Sequence, residues 1–254
     1  MHLYIIVIIS ICCRLNALAV EGARPSESKP LPGNTSIGEG AAQLDLGLQL
    51  IKVAHSSNEL MQAIGWLKIA ALQKNATAQL KLGYLYAENI AIRNPDEAFL
   101  WFKMAADQNL IEAQLELGMC YLNGWGITRS KKDALSQFLT AANAGSTEAK
   151  FQAALLLFES NPAKATILVR QSAEDGYWPG QVKLANLLYY GIGIKKDKIE
   201  GYKWMIIVCA SKKDSTTGEI KSRFEKELSQ AQMVEGIDRA RITIRKIRAS
   251  LANH

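Results

Sequence analysis

Histidine is nearly missing from this chain of 254 residues. Of the three, His2 sits in the opening apolar segment and His254 is the last residue, so His55 is alone in the body. A Ser-His-Asp or Cys-His nucleophilic device, or a His-rich metal site, has little to be built from. His55 is expected instead to end the first helix as a solvated cation or cap, and the sequence offers no catalytic residue, metal ligand or cofactor site. Cysteine is scarce too. Cys12 and Cys13 belong to the opening segment, leaving Cys120 and Cys209 on elements far apart in the chain. They read as small buried apolar side chains and not as a disulfide. The apolar run from Leu3 to Cys13 has eleven residues, short of the roughly 20 that a membrane-spanning helix needs.

What is present is ordinary globular material. With 48% hydrophobic and 21% charged residues, the chain can bury a core and is not disordered throughout. The net charge of +6 falls to +5 without the first nineteen residues, which hold Arg14 and no acid. Lys and Arg are scattered, with one concentration at the C-terminus, so no nucleic-acid partner is expected. The apolar run followed by Ala17-Leu18-Ala19 reads as a secretory signal, residues 1–19, cleaved after Ala19. A short uncleaved anchor is the alternative, because only the α-amino group and His2 supply charge ahead of the run. After cleavage no stable membrane insertion is expected. Residues 20–40 hold Pro25, Pro30, Pro32, Gly33, Gly38 and Gly40 among Ser and Glu, the composition of a flexible leader.

The informative feature is an internal repeat. Ala78-Gln-Leu-Lys-Leu-Gly83 recurs as Ala113-Gln-Leu-Glu-Leu-Gly118, Ala149-Lys-Phe-Gln-Ala-Ala154 and Gly180-Gln-Val-Lys-Leu-Ala185, with an earlier copy near Ala42; the spacings are 36, 35, 36 and 31. About twenty residues after each comes Ala-x-x-Trp-x-x-x-Ala-Ala, clearest at Ala63, Trp66, Ala70, Ala71 and at Ala98, Trp101, Ala105, Ala106. Later copies carry Gln137, Leu168 and Trp204 at the Trp position. Apolar residues three and four apart make both blocks amphipathic helices, and Ala or Gly at fixed places lets two helices approach closely. Each period is therefore an αα-hairpin. The second helices open on caps: Ser56 with Glu59, Asn94-Pro95, Ser130 with Asp133, Asn161-Pro162, and Asp197 with Glu200. Gly124-Trp125-Gly126 and Gly191-Ile192-Gly193 form tight links, while the fourth link shrinks to Glu159-Ser160-Asn161-Pro162. One hairpin cannot hide its apolar face, but five in a stack share a core. The expected fold is all-α, with five repeats over 41–210 and capping helices over 211–254, drawn at Glu219 to Glu227 and Gln230 to Leu251. Ile237, Ala240, Ile244, Ile247 and Leu251 form the stripe that would cover the open end.

The Leu-Gly-x-x-Tyr core, the Gly-x-Gly link, the Ala-x-x-Trp-x-x-x-Ala-Ala helix and the 35 to 36 residue period resemble the Sel-one-like repeat (SLR) family, a relative of tetratricopeptide repeats. The resemblance covers roughly residues 42–210 and is strongest over Ala78 to Gly145. It implies a right-handed superhelical solenoid that acts as a scaffold or adaptor; together with the signal-like residues 1–19, the expectation is an exported bacterial protein, periplasmic or secreted, monomeric and binding another protein. Some exported members shield their own cell from a secreted toxin such as a phospholipase, so an immunity role is the alternative. Some cysteine-rich members are linked to β-lactam binding or hydrolysis. A serine β-lactamase, however, needs Ser-x-x-Lys on a helix and a Lys-Thr-Gly strand. Here Ser26-Glu-Ser-Lys29 lies in the leader, Lys-Thr-Gly does not occur, and the paired cysteines are missing.

By tetratricopeptide analogy the first helix of each hairpin lines a concave face, exposing the first and fourth residues after the Gly slot. These are Leu48 and Ile51, Tyr84 and Ala87, Met119 and Leu122, Leu155 and Phe158, Asn186 and Tyr189, a largely apolar set suited to a partner protein. Trp66, Trp101 and Trp204 are assigned to packing within hairpins. Arg239, Arg241, Arg245, Lys246 and Arg248 are read as a solvated face able to meet an acidic partner or anionic lipid.

Overall fold

Small residues on one helix and large ones on the next organise the molecule. The computed structural model describes residues 39–211 and 215–252, and the expected signal segment and most of the leader lie outside the described residues. Within them the chain forms twelve helices and no strand. They are α1 (Glu39–Val53), α2 (Ser57–Leu72), α3 (Ala76–Glu88), α4 (Pro95–Ala106), α5 (Ile111–Asn123), α6 (Lys131–Asn143), α7 (Thr147–Leu157), α8 (Pro162–Glu174), α9 (Trp178–Tyr190), α10 (Lys198–Ser211), α11 (Ser215–Glu225) and α12 (Gln230–Ala252). All lie in the unit that begins at Ser36. The first ten pair as α1 with α2 through α9 with α10, and each pair packs on the next. This is the five-hairpin, all-α repeat solenoid that the period implies.

The reason for the pairing is steric. A Cβ at Gly83 would lie 2.4 Å from the Phe102 ring, one at Gly118 2.5 Å from Phe138, and one at Gly47 2.9 Å from Leu67. The Gly slot of each first helix thus receives the residue that follows the Trp position on the second. In the fourth and fifth repeats the slot is Ala154 or Ala185, and the corresponding side chains are Val169 and Met205, all fully buried.

Caps form where the side chains allow. Ser56 and Glu59 make a reciprocal capping box, and Asn94, Ser130 and Asn161 each accept a backbone N–H from the first turn of α4, α6 and α8. Asp197 accepts from the Glu200 N–H at 2.9 Å. Gly124 and Gly191 both adopt the left-handed conformation at φ 76°, ψ 37°, which a residue with a Cβ resists.

Two boundaries differ from expectation. Helix α1 begins at Glu39, inside the span assigned to the leader: the Asn75 amide donates to the Gly40 carbonyl at 3.5 Å and ties this turn to the second hairpin. Helix α11 runs from Ser215 to Glu225 instead of starting at Glu219. Thr217 is buried, with its carbonyl accepting from Cys209 Sγ at 3.7 Å, so tertiary contact draws a Ser-Thr-Thr-Gly turn of poor helix propensity into the helix. Helix α12 packs on α10. A Cβ at Gly236 would lie 2.7 Å from the Tyr202 ring, Ala240 is buried, and Ile237 and Ile244 join the same apolar cluster. The side chains of Ile247 and Leu251 fall outside the described ones.

Candidate functional site

Because the slot residue faces the partner helix, the residues one and four places later sit at its margin. Leu48, Ile51, Tyr84, Ala87, Met119, Leu122, Phe158 and Asn186 are half-buried, and Leu155 is exposed. Several lean on the core without being enclosed by it, among them Leu48, Ile51, Tyr84 and Ala87 on the first cluster and Met119 and Leu122 on that around Phe138. Tyr84 meets Phe102 edge-on at 5.4 Å and donates its hydroxyl to Glu116 on α5 at 2.8 Å. The Lys183 ammonium stands 4.9 Å from the centre of the Phe158 ring.

Tyr189 departs from the assignment. It is 1% exposed, stacks on Phe224 of α11 at 3.6 Å with an interplanar angle of 7°, and donates its hydroxyl to the Phe224 carbonyl. As the last residue of its series it is covered by the cap, which no spacing rule for internal repeats anticipates. Burial, followed by nearby Glu227, pushes its phenol up to about 12, so it stays neutral and locks the cap to the stack.

The three tryptophans assigned to packing, Trp66, Trp101 and Trp204, lie within the stack. Trp101 is buried and donates to Glu97 at 3.0 Å, Trp204 is buried beneath Lys203 at 4.5 Å, and Trp66 is half-buried. His55 is exposed in the turn after α1, and its backbone N–H donates to the Glu59 carboxylate at 2.6 Å. In the C-terminal basic cluster Arg239 pairs with Glu235 at 2.5 Å and with Glu200 at 3.4 Å, and Arg241 pairs with Asp238 at 3.1 Å. Arg245 and Lys246 are exposed, and the Arg248 side chain is outside the described ones. Cys120 is buried and Cys209 half-buried, and neither is in a disulfide.

Sequence reasoning passed over one recurring device. The Gln after the repeat Ala or Gly reaches back to the preceding hairpin: Gln79 donates to the Ala71 carbonyl at 2.9 Å and Gln181 to the Ala173 carbonyl at 3.2 Å. Each adds a second hydrogen bond, from within the next repeat, to a carbonyl in the last turn of a second helix that already accepts a backbone N–H at 3.1 Å, from Lys74 and from Gly176. The Gln recurs at Gln43, Gln79, Gln114 and Gln181, and that recurrence was the available signal. Among the described residues, no group of three or more His, Cys, Asp or Glu is placed to hold a metal ion, and no helix is long and apolar enough to cross a membrane.

Paired helices stacked in register, closed at one end by two further helices, define an all-α helical repeat solenoid. The Sel1 repeat family model matches residues 57–75, 76–110, 111–146 and 178–209, and the chain is a Sel1-repeat protein. Such repeats are generally protein–protein interaction modules and typically non-catalytic scaffolds. Among solved structures the chain is similar to c5321, a protective antigen of uropathogenic Escherichia coli strains with an SLR fold, at 26% identity and a TM-score of 0.73 over 83% of this chain; it spans 46% of that one. It is also similar to a Sel1 repeat protein from Oxalobacter formigenes, at 25% identity and a TM-score of 0.66, covering 79% of this chain and 84% of that one. No curated protein matches the chain.

Proposed function

We propose that this chain is an exported, monomeric scaffold that binds a partner protein along the first helices of its hairpins. What supports this most directly is the ladder of solvent-contacting apolar side chains from α1, α3, α5 and α7. Leu48, Tyr84, Met119 and Leu155 occupy the same position in four successive repeats; the first three are half-buried against the core and Leu155 is exposed. Apolar and aromatic groups held by rigid helices lose little entropy on binding, and desolvating them drives association. Asn186 ends the row with a polar group, and Tyr189, enclosed by α11, takes no part. Export rests on the signal-like residues 1–19, with cleavage after Ala19 and a periplasmic or secreted location.

Replacing Tyr84 and Met119 together by Ala tests the binding face. Helicity by circular dichroism is expected to stay near that of the parent chain, while capture of proteins from an envelope extract falls. Unchanged capture of every protein held by the parent removes the assignment. Amino-terminal sequencing of exported material, expected to begin at Val20, checks the cleavage.

A further inference from the structure

Three of the five links between paired helices carry a large apolar residue at one equivalent position: Ile90 after α3, Trp125 after α5 and Ile192 after α9. These links are closed, hydrogen-bonded turns. In each, the N–H of the residue capping the next helix returns to a carbonyl near the end of the previous one, Asn94 to Tyr86 at 2.8 Å, Ser130 to Tyr121 at 2.8 Å and Asp197 to Leu188 at 2.9 Å. The middle residue is held outward. Ile90 is 96% exposed, Ile192 57% and Trp125 37%. One exposed apolar residue is unremarkable, but three at the same place on rigid turns form a pattern that the fold does not require.

Cations accompany them. Arg93, Arg129 and Lys195 follow three or four residues after each tip, and among the described residues none makes an ion pair. The links share one edge of the stack. A Cβ at Gly126 would lie 2.2 Å from the Pro95 carbonyl oxygen, so the third link rests on the end of the second, and Gly193 comes near Pro162 at the start of α8. Beside the fifth link is a cavity of about 360 Å³ whose lining includes Arg170, Lys195, Lys196, Asp197 and Glu200. Of its two acids, Glu200 is paired with Lys203 and Arg239 and Asp197 caps α10, and the three basic groups of the lining outnumber them.

We propose that this edge docks on an anionic bilayer, with Ile90, Trp125 and Ile192 entering the headgroup region and Arg93, Arg129, Lys195 and Lys196 meeting lipid phosphates. Separate apolar points ringed by cations suit a fluid, negatively charged surface, whereas a protein partner would call for a contiguous patch. Trp favours that interface, and the chain's net charge of +6 has the matching sign. Each tip contributes little alone; several tips plus basic groups give weak, reversible attachment. The partner-binding face lies on other residues, so either surface can exist without the other.

Co-sedimentation of the full chain with phosphatidylglycerol–phosphatidylethanolamine vesicles and with phosphatidylcholine vesicles tests this, comparing the parent with Trp125→Ser/Ile192→Ser and with Arg129→Glu/Lys195→Glu. Using the full chain throughout cancels any contribution of the apolar N-terminal segment. The parent is expected to bind the anionic vesicles, less so in high salt, and both variants to bind about tenfold more weakly. Hydrogen exchange at 124–129 and 191–196 should slow on anionic vesicles only, and Met119→Ser should bind like the parent. Absence of binding, equal binding to both vesicle types, or variants that bind like the parent would overturn the proposal. So would loss of a captured protein by the tip variant with no change on vesicles.

Discussion

Cys120 shows how little a residue type says until its surroundings are known. In sequence it is a thiol one helical turn from an acid; in the fold it is buried, and that burial, reinforced by the charge of Glu116, pushes the thiol up to about 12. A thiol so placed has almost no thiolate near neutrality. At pH 8 the folded chain should therefore leave Cys120 unmodified by a thiol-directed disulfide reagent, and should react there once unfolded in guanidinium, with mass spectrometry locating the label. Labelling of Cys120 in the folded chain would show that the third repeat opens readily. Burial of Cys120 was legible from its place in a periodic apolar helix. The burial of Tyr189 was not, since its sequence position matches those of Ile51 and Phe158, which are only half-buried.

At the level of helices, the Gly slot decides what a glycine is for. Ala is favoured over Gly inside a helix by about 1 kcal/mol, yet a Cβ at Gly118 would stand 2.5 Å from the buried Phe138 ring. The enclosed ring has little room to yield, and overpacking costs about 1–3 kcal/mol. Gly118→Ala should therefore lower stability in urea titrations, and adding Phe138→Leu should return part of the loss. Gly65, in the interior of α2, meets nothing within 4 Å of its missing Cβ, so Gly65→Ala should stabilise by up to about 1 kcal/mol. Opposite signs for the two substitutions are the expected result; equal signs would undo the steric account. The same logic explains the fourth hairpin, which the Sel1 repeat match skips. With Ala154 in the slot, Leu168 at the Trp position and a shortened link, it has lost the family's markers but kept the small-against-large packing that makes the hairpin.

Across the whole molecule, the C-terminal cap covers one end of the row of repeats. Tyr202 on α10 donates to Glu225 of α11 at 2.7 Å, Lys221 pairs with the same carboxylate, and Lys198 pairs with Glu227 at 2.8 Å. Burial alone would raise Glu225, but the hydrogen bonds from Lys221 and Tyr202 prevail and hold it below the ordinary 4.5; Lys198 lowers Glu227 likewise. A carboxyl lowered in the folded state lends stability above its unfolded pKa and loses it as the pH falls through the folded one. Glu225→Gln should therefore reduce the thermal midpoint at pH 7 and make little difference at pH 3. A constant effect at both pH values would mean that the acid acts only through its shape.

Period, caps and small-residue slots are local properties, written every 35 or 36 residues, and they were enough to determine five hairpins, their links and the need for a cap. Helix propensity and apolar spacing act over a few turns, so they can be read along one dimension. Which side chains keep contact with water depends on what arrives from elsewhere in the chain. Only the packed structure decided that α11 lies over Tyr189, that Thr217 is drawn into a helix, and that Ile90, Trp125 and Ile192 stay outside, because burial is set by neighbours distant in sequence.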